Sequence, residues 1–81
     1  MVTASHVKEL LGSPLDDPHL VLETGRVFVQ SGTDVEKDPS SLVIASAREL
    51  RDTHDLADPP ADEVLETIAA LLDDRVSKLG A

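Results

Sequence analysis

His19-Leu20-Val21-Leu22-Glu23-Thr24-Gly25-Arg26-Val27-Phe28-Val29-Gln30 decides the fold. Two runs rich in β-branched and apolar residues flank Thr24-Gly25, which predicts a tight hairpin with glycine where the backbone needs positive φ. Leu20 and Leu22 share one face of the first strand, and Val27 and Val29 share one face of the second. Val21 and Phe28 look the other way, so both faces carry apolar groups. A hairpin of this kind expects a core on one side and partial cover, or another chain, on the second.

Upstream, Val7, Leu10 and Leu11 fall at helical spacing. Thr3 or Ser5 is available as N-cap and Gly12 as the stop. Ser13 to Pro18 holds two prolines and two aspartates, which reject both helix and ladder and predict a loop. Downstream, residues 31–41 are polar, contain Gly32 and Pro39, and read as the longest flexible connection. Leu42-Val43-Ile44-Ala45 is short enough to be a buried third strand or the start of a long helix; the strand is preferred. Ser46-Ala47-Arg48-Glu49 fits a capping box, from which a helix would run through Leu50 towards Leu56. If the box is incidental, that helix begins near Ser40.

The last element is the clearest. Asp58 precedes Pro59 and Pro60, and proline suits a first helical turn. Asp62, Glu63 and Glu66 stand at the positive end of the helix dipole, Arg75 and Lys78 at the negative end, and Gly80 closes it. Val64, Leu65, Ile68, Leu71, Leu72, Val76 and Leu79 form one apolar stripe. The expected fold is therefore α+β, one domain over residues 1–81: a small antiparallel sheet, a hairpin plus third strand, packed by helices, with a long amphipathic C-terminal helix.

Composition bounds the function. A chain of 81 residues buries roughly 60% of its unfolded surface, which supports one modest core and marginal stability. It has no cysteine, so neither a disulfide nor a thiolate-held metal can reinforce it. Pairing with a second copy is a common remedy at this size. Sixteen carboxylates oppose seven Lys and Arg for a net charge of −9. The charge is spread out: two cations against four acids up to Gln30, three against seven from Ser31 to Pro60, and two against five beyond. A field of this sign repels phosphate backbones and anionic membranes, so neither is expected as a direct partner. Phe28 is the lone aromatic and offers no stacking platform. Met1 to His6 lacks the charged and apolar runs of a leader, and no stretch approaches the roughly 20 apolar residues of a span. A cytoplasmic location is expected.

No motif carries a reaction. Asp34, Glu36 and Asp38 alternate like the start of a calcium loop, but positions six and twelve hold Pro39 and Ala45 where glycine and glutamate are required. Asp52, His54, Asp55 and Asp58 put one imidazole among carboxylates; a small enzyme or metal-binding protein built on this cluster is one alternative reading. Asp73 and Asp74 are adjacent, and neighbours on a helix point about 100° apart, which prevents joint acid–base work. There is no thiol, no Gly-x-Ser-x-Gly elbow and no phosphate-cradling glycine loop. No cofactor and no metal are expected. The best reading is a non-enzymatic interaction or regulatory protein, a homodimer by expectation. A second alternative is a nucleic-acid mimic that occupies the groove of a basic protein.

The expected interface is the apolar stripe of the last helix. Leu65, Ile68, Leu72 and Leu79 fall on heptad a and d positions, with Arg75 in the remaining d place, while Val64, Leu71 and Val76 widen the stripe beyond what one hairpin covers. The hairpin's second face, around Val21 and Phe28, is the other candidate surface.

Overall fold

The computed structural model describes residues 1–54, 56, 57 and 59–79. The elements are α1 (Ala4–Gly12), β1 (His19–Glu23), β2 (Arg26–Gln30), α2 (Gly32–Lys37), β3 (Leu42–Ser46), α3 (Ala47–Thr53) and α4 (Asp62–Lys78). The three strands form one antiparallel sheet in the order β2-β1-β3. The α+β class follows as the sequence predicts.

The hairpin register pairs Leu20 with Val29, Val21 with Phe28 and Leu22 with Val27. Its two-residue loop has φ of 49° at Thr24 and 79° at Gly25, the mirror-image turn whose twist matches that of the strands. Gly25 adopts this region without cost, whereas Thr24 is β-branched and strained there. The Thr24 hydroxyl donates to the Glu23 carbonyl at 2.8 Å.

Residues 42–45 are strand, paired along the free side of β1. The pairing slips once: Leu20 faces Ala45 and Val21 faces Val43, which leaves Ile44 as the extra residue of a bulge. Consecutive strand residues normally point to opposite faces. The bulge lets Ile44 and Ala45 both enter the core.

That core lies on one face of the sheet. Leu20, Leu22, Ile44 and Ala45 meet Val7 and Leu10 of α1, Leu50 of α3, and Leu65, Ile68, Leu72 and Val76 of α4. On the hairpin's second face Val21 is fully buried, outside that cluster, and Phe28 is half-buried. The connection after α2 reaches the end of β1, where Ser40 donates to the Glu23 carboxylate at 3.0 Å.

The caps refine the sequence reading. Thr3, and not Ser5, caps α1: its hydroxyl accepts from the His6 N–H, and His6 Nδ1 accepts from the Thr3 N–H, a reciprocal box. Ser46 Oγ caps α3 by accepting from the Glu49 N–H at 3.0 Å, but the Glu49 carboxylate turns to Arg75 instead of back to Ser46. That helix stops at Thr53, short of Leu56. Within the segment read as flexible, Gly32–Lys37 is a one-and-a-half-turn helix. Ser31 caps it by accepting from the Asp34 N–H, and Gly32 lies so close to Asp17 that an added Cβ would stand 2.6 Å from its carboxylate. Asp58 and the closure expected of Gly80 lie outside the described residues, and α4 begins at Asp62, after both prolines. Ala61 occupies the N-cap of α4 without a side-chain hydrogen bond.

The strain at Thr24 makes a signed prediction. Replacing Thr24 with Asn gives the Asn-Gly pair that this turn prefers, and stability rises by about 0.5–1 kcal/mol. Urea denaturation at constant m-value checks it; a midpoint that falls removes the strain argument.

Candidate interaction surface

The stripe of α4 divides in the folded chain. Leu65, Ile68, Leu72 and Val76 are buried in the protein's own core, and Val64 is half-buried against it. Leu71 and Leu79 remain 55% and 45% exposed. The stripe is wider than a coiled-coil seam because α4 is gripped by α1, β3 and α3, and only its outer margin is left over. On the hairpin's second face Val21 is buried and Phe28 half-buried, with the Arg26 guanidinium 6.0 Å from the ring centroid.

Two further exposed apolar groups come from β3. Leu42 and Val43 are 46% and 43% exposed, although their segment reads as a buried strand. β3 is the outermost strand on its side. It carries no charged residue over its five positions, whereas an edge strand is ordinarily guarded by charge or proline. The signal was available: a three-stranded sheet has two edges, and a short apolar strand at one of them leaves its end unfilled.

Arg75 joins the two groups. Its Nη1 donates to the Ile44 carbonyl at 2.7 Å and sits 3.2 Å from both Glu49 oxygens. One N–H therefore meets a carbonyl in the bulge, and the other is shared by a carboxylate. This is why the d position filled by Arg75 faces the protein's own sheet. Leu71 and Leu79 lie one turn to either side of Arg75, and Leu42 lies two residues from Ile44. The exposed leucines and the edge strand thus flank one anchored point.

The polar candidates have structural occupations. His6 is part of the α1 cap, and His19 Nδ1 donates to the Asp17 carbonyl at 2.7 Å. His54 ends α3, is half-buried, and lines a cleft with Glu63, Val64, Thr67 and Ile68. Of its expected neighbours, Asp55 and Asp58 lie outside the described residues. Asp73 accepts from the Val2 N–H at 2.9 Å, and Asp74 pairs with Lys78 at 3.0 Å. Among the described residues no group of three or more His, Cys, Asp or Glu is placed to hold a metal, and no helix is long and apolar enough to cross a membrane.

The Asp38 carboxyl is shifted from its ordinary value. The Ser40 hydroxyl, donating at 2.7 Å, holds Asp38 below its ordinary value. Desolvation, second in size to the Ser40 hydroxyl, opposes the shift, and the Ser40 N–H, Glu23 and Gln30 add to it. A depressed carboxyl stabilises the fold above its unfolded value, and that contribution disappears as pH falls through the folded value. Ser40→Ala should therefore raise the Asp38 titration towards the usual carboxylate range, read by carbon-detected NMR; an unchanged midpoint overturns the assignment.

Arg75 separates carbonyl anchoring from ion pairing. Arg75→Ala is expected to cost about 1–2 kcal/mol, mostly from the Ile44 carbonyl left without its charged donor. Glu49→Gln should cost less than about 0.5 kcal/mol, because that pair is nearly half exposed and screened. Urea titration of both variants reads the order, and equal losses would contradict it. The chain matches no protein-family model, no curated protein and no solved structure.

Proposed function

We propose that this chain is a small non-enzymatic interaction protein and that its first partner is a second copy of itself. The observation that carries the proposal is the uncharged edge strand β3, on which Leu42 and Val43 are exposed, together with the exposed Leu71 and Leu79 on α4, the helix whose Arg75 bonds to that strand. The strand edge offers unpaired backbone groups, and the side chains beside it offer apolar area. Antiparallel pairing of β3 with its symmetry mate is self-complementary, so one patch serves both partners in a closed two-fold.

Electrostatics does not oppose contact at this seam. Each copy carries −9, and two such surfaces repel wherever acids meet acids. Contact is least opposed where the strand is uncharged. The patch is modest, and its apolar groups are distributed along an edge, which fits a reversible regulatory or scaffolding contact more than an obligate one.

The charge gives the test its sign. A like-charged dimer tightens as salt screens repulsion, whereas docking of this acidic surface onto a basic partner weakens with salt. Sedimentation velocity across a concentration series should show a monomer–dimer equilibrium that is stronger at 0.5 M than at 0.05 M salt, values on the order of those that shorten the Debye length severalfold. Leu42→Lys with Leu79→Lys should give monomer, even though the added cations reduce repulsion. Leu15→Lys, at an exposed leucine remote in sequence from the seam, should leave the dimer intact. A monomer at every concentration and salt ends the self-association reading.

A further inference from the structure

The geometry points to a second site, a cleft between α1, α3 and the start of α4 that would take an organic monoanion with a short apolar tail. It encloses about 330 Å³, within the range of small-ligand pockets. Leu11, Pro60 and Leu65 supply apolar wall, and Lys8, Arg51 and Asp62 supply charge. None of the residues of the β3 seam lines it, so this inference is independent of self-association.

Three features select the ligand. Two of the chain's seven cations line this one cleft, although the protein as a whole is strongly acidic. Asp62 lines the same cleft, and its carboxylate opposes a dianion more than a monoanion. The Arg51 guanidinium is already oriented, because its Nη2 donates to the Leu11 carbonyl at 2.7 Å. That bond satisfies the C-terminal end of α1 and leaves further N–H groups on a planar fork suited to a carboxylate. The apolar walls come from three different elements, so a ligand tail would bury surface against all of them.

The inference is tested by amide NMR titration with sodium octanoate, kept below its micellar concentration, against sodium acetate as head alone and octanol as tail alone. Octanoate should give saturable shifts at residues of the cleft, and acetate and octanol should bind at least about tenfold more weakly, a loss of about 1.4 kcal/mol. Lys8 is exposed, so Lys8→Gln is expected to fold normally and to weaken octanoate by about threefold, as removal of one solvent-screened charge should. The same variant should leave octanol unchanged. Unsaturated shifts, equal binding of octanol and octanoate, or an unaltered Lys8→Gln affinity would each overturn the site.

Discussion

The bond from Arg75 to the Ile44 carbonyl is the constraint around which the rest of the molecule is arranged. A bulge interrupts the ladder where Ile44 has no partner on β1, and interrupted backbone needs compensating hydrogen bonds. Arg75 supplies one from a helix at the far end of the sequence. In return the bulge delivers two consecutive side chains, Ile44 and Ala45, into the core beneath α4. Helix and edge strand are thereby held together by packing and by one charge-assisted bond. Without the bulge one of these two side chains would leave the core for the other face.

This arrangement answers the problem of size. The chain has one sheet, and it uses both faces of the hairpin. Three helices cover the first face; on the second, Val21 is buried and Ser40 ties the connection after α2 to the Glu23 carboxylate. Ser40 carries a single hydroxyl proton yet lies within hydrogen-bond distance of two carboxylates, at 2.7 Å from Asp38 and 3.0 Å from Glu23. The shorter contact is the one that depresses Asp38.

The hairpin and α4 were legible because their signals are local. A turn pair between two β-rich runs, and a stripe with acids at one end and bases at the other, need no knowledge of the rest of the fold. Residues 42–45 were harder, since four apolar residues in a row carry no period; what makes them strand is the vacant edge of β1. The helix Gly32–Lys37 was missed because no residue in it is buried and it lacks an apolar stripe, although Ser31, Asp34 and Lys37 mark its cap and ends. On α4 the seven apolar positions could be listed but not sorted. Which of them meet the core depends on where α1 and α3 lie around the helix, and that is set by long-range packing. Arg75 is the clearest case. Its place in the heptad is visible in the sequence, but the carbonyl that it serves exists only after β3 has bulged.

The same geometry bears on why the exposed apolar groups sit where they do. An acidic surface spread evenly over the chain opposes contact with copies of itself at most orientations. The five uncharged residues of β3 at the sheet edge are one place where that opposition is weak. Arg75 and Lys78, beside it, are both engaged with carboxylates, at 3.2 and 3.0 Å, so the seam is close to neutral and not basic. A basic seam would attract the acidic faces of other copies in many poses, whereas a neutral one rewards only the pose that matches apolar groups and strand edge. Distributed charge would then act less as an attraction than as a filter, leaving one orientation of the proposed dimer unopposed.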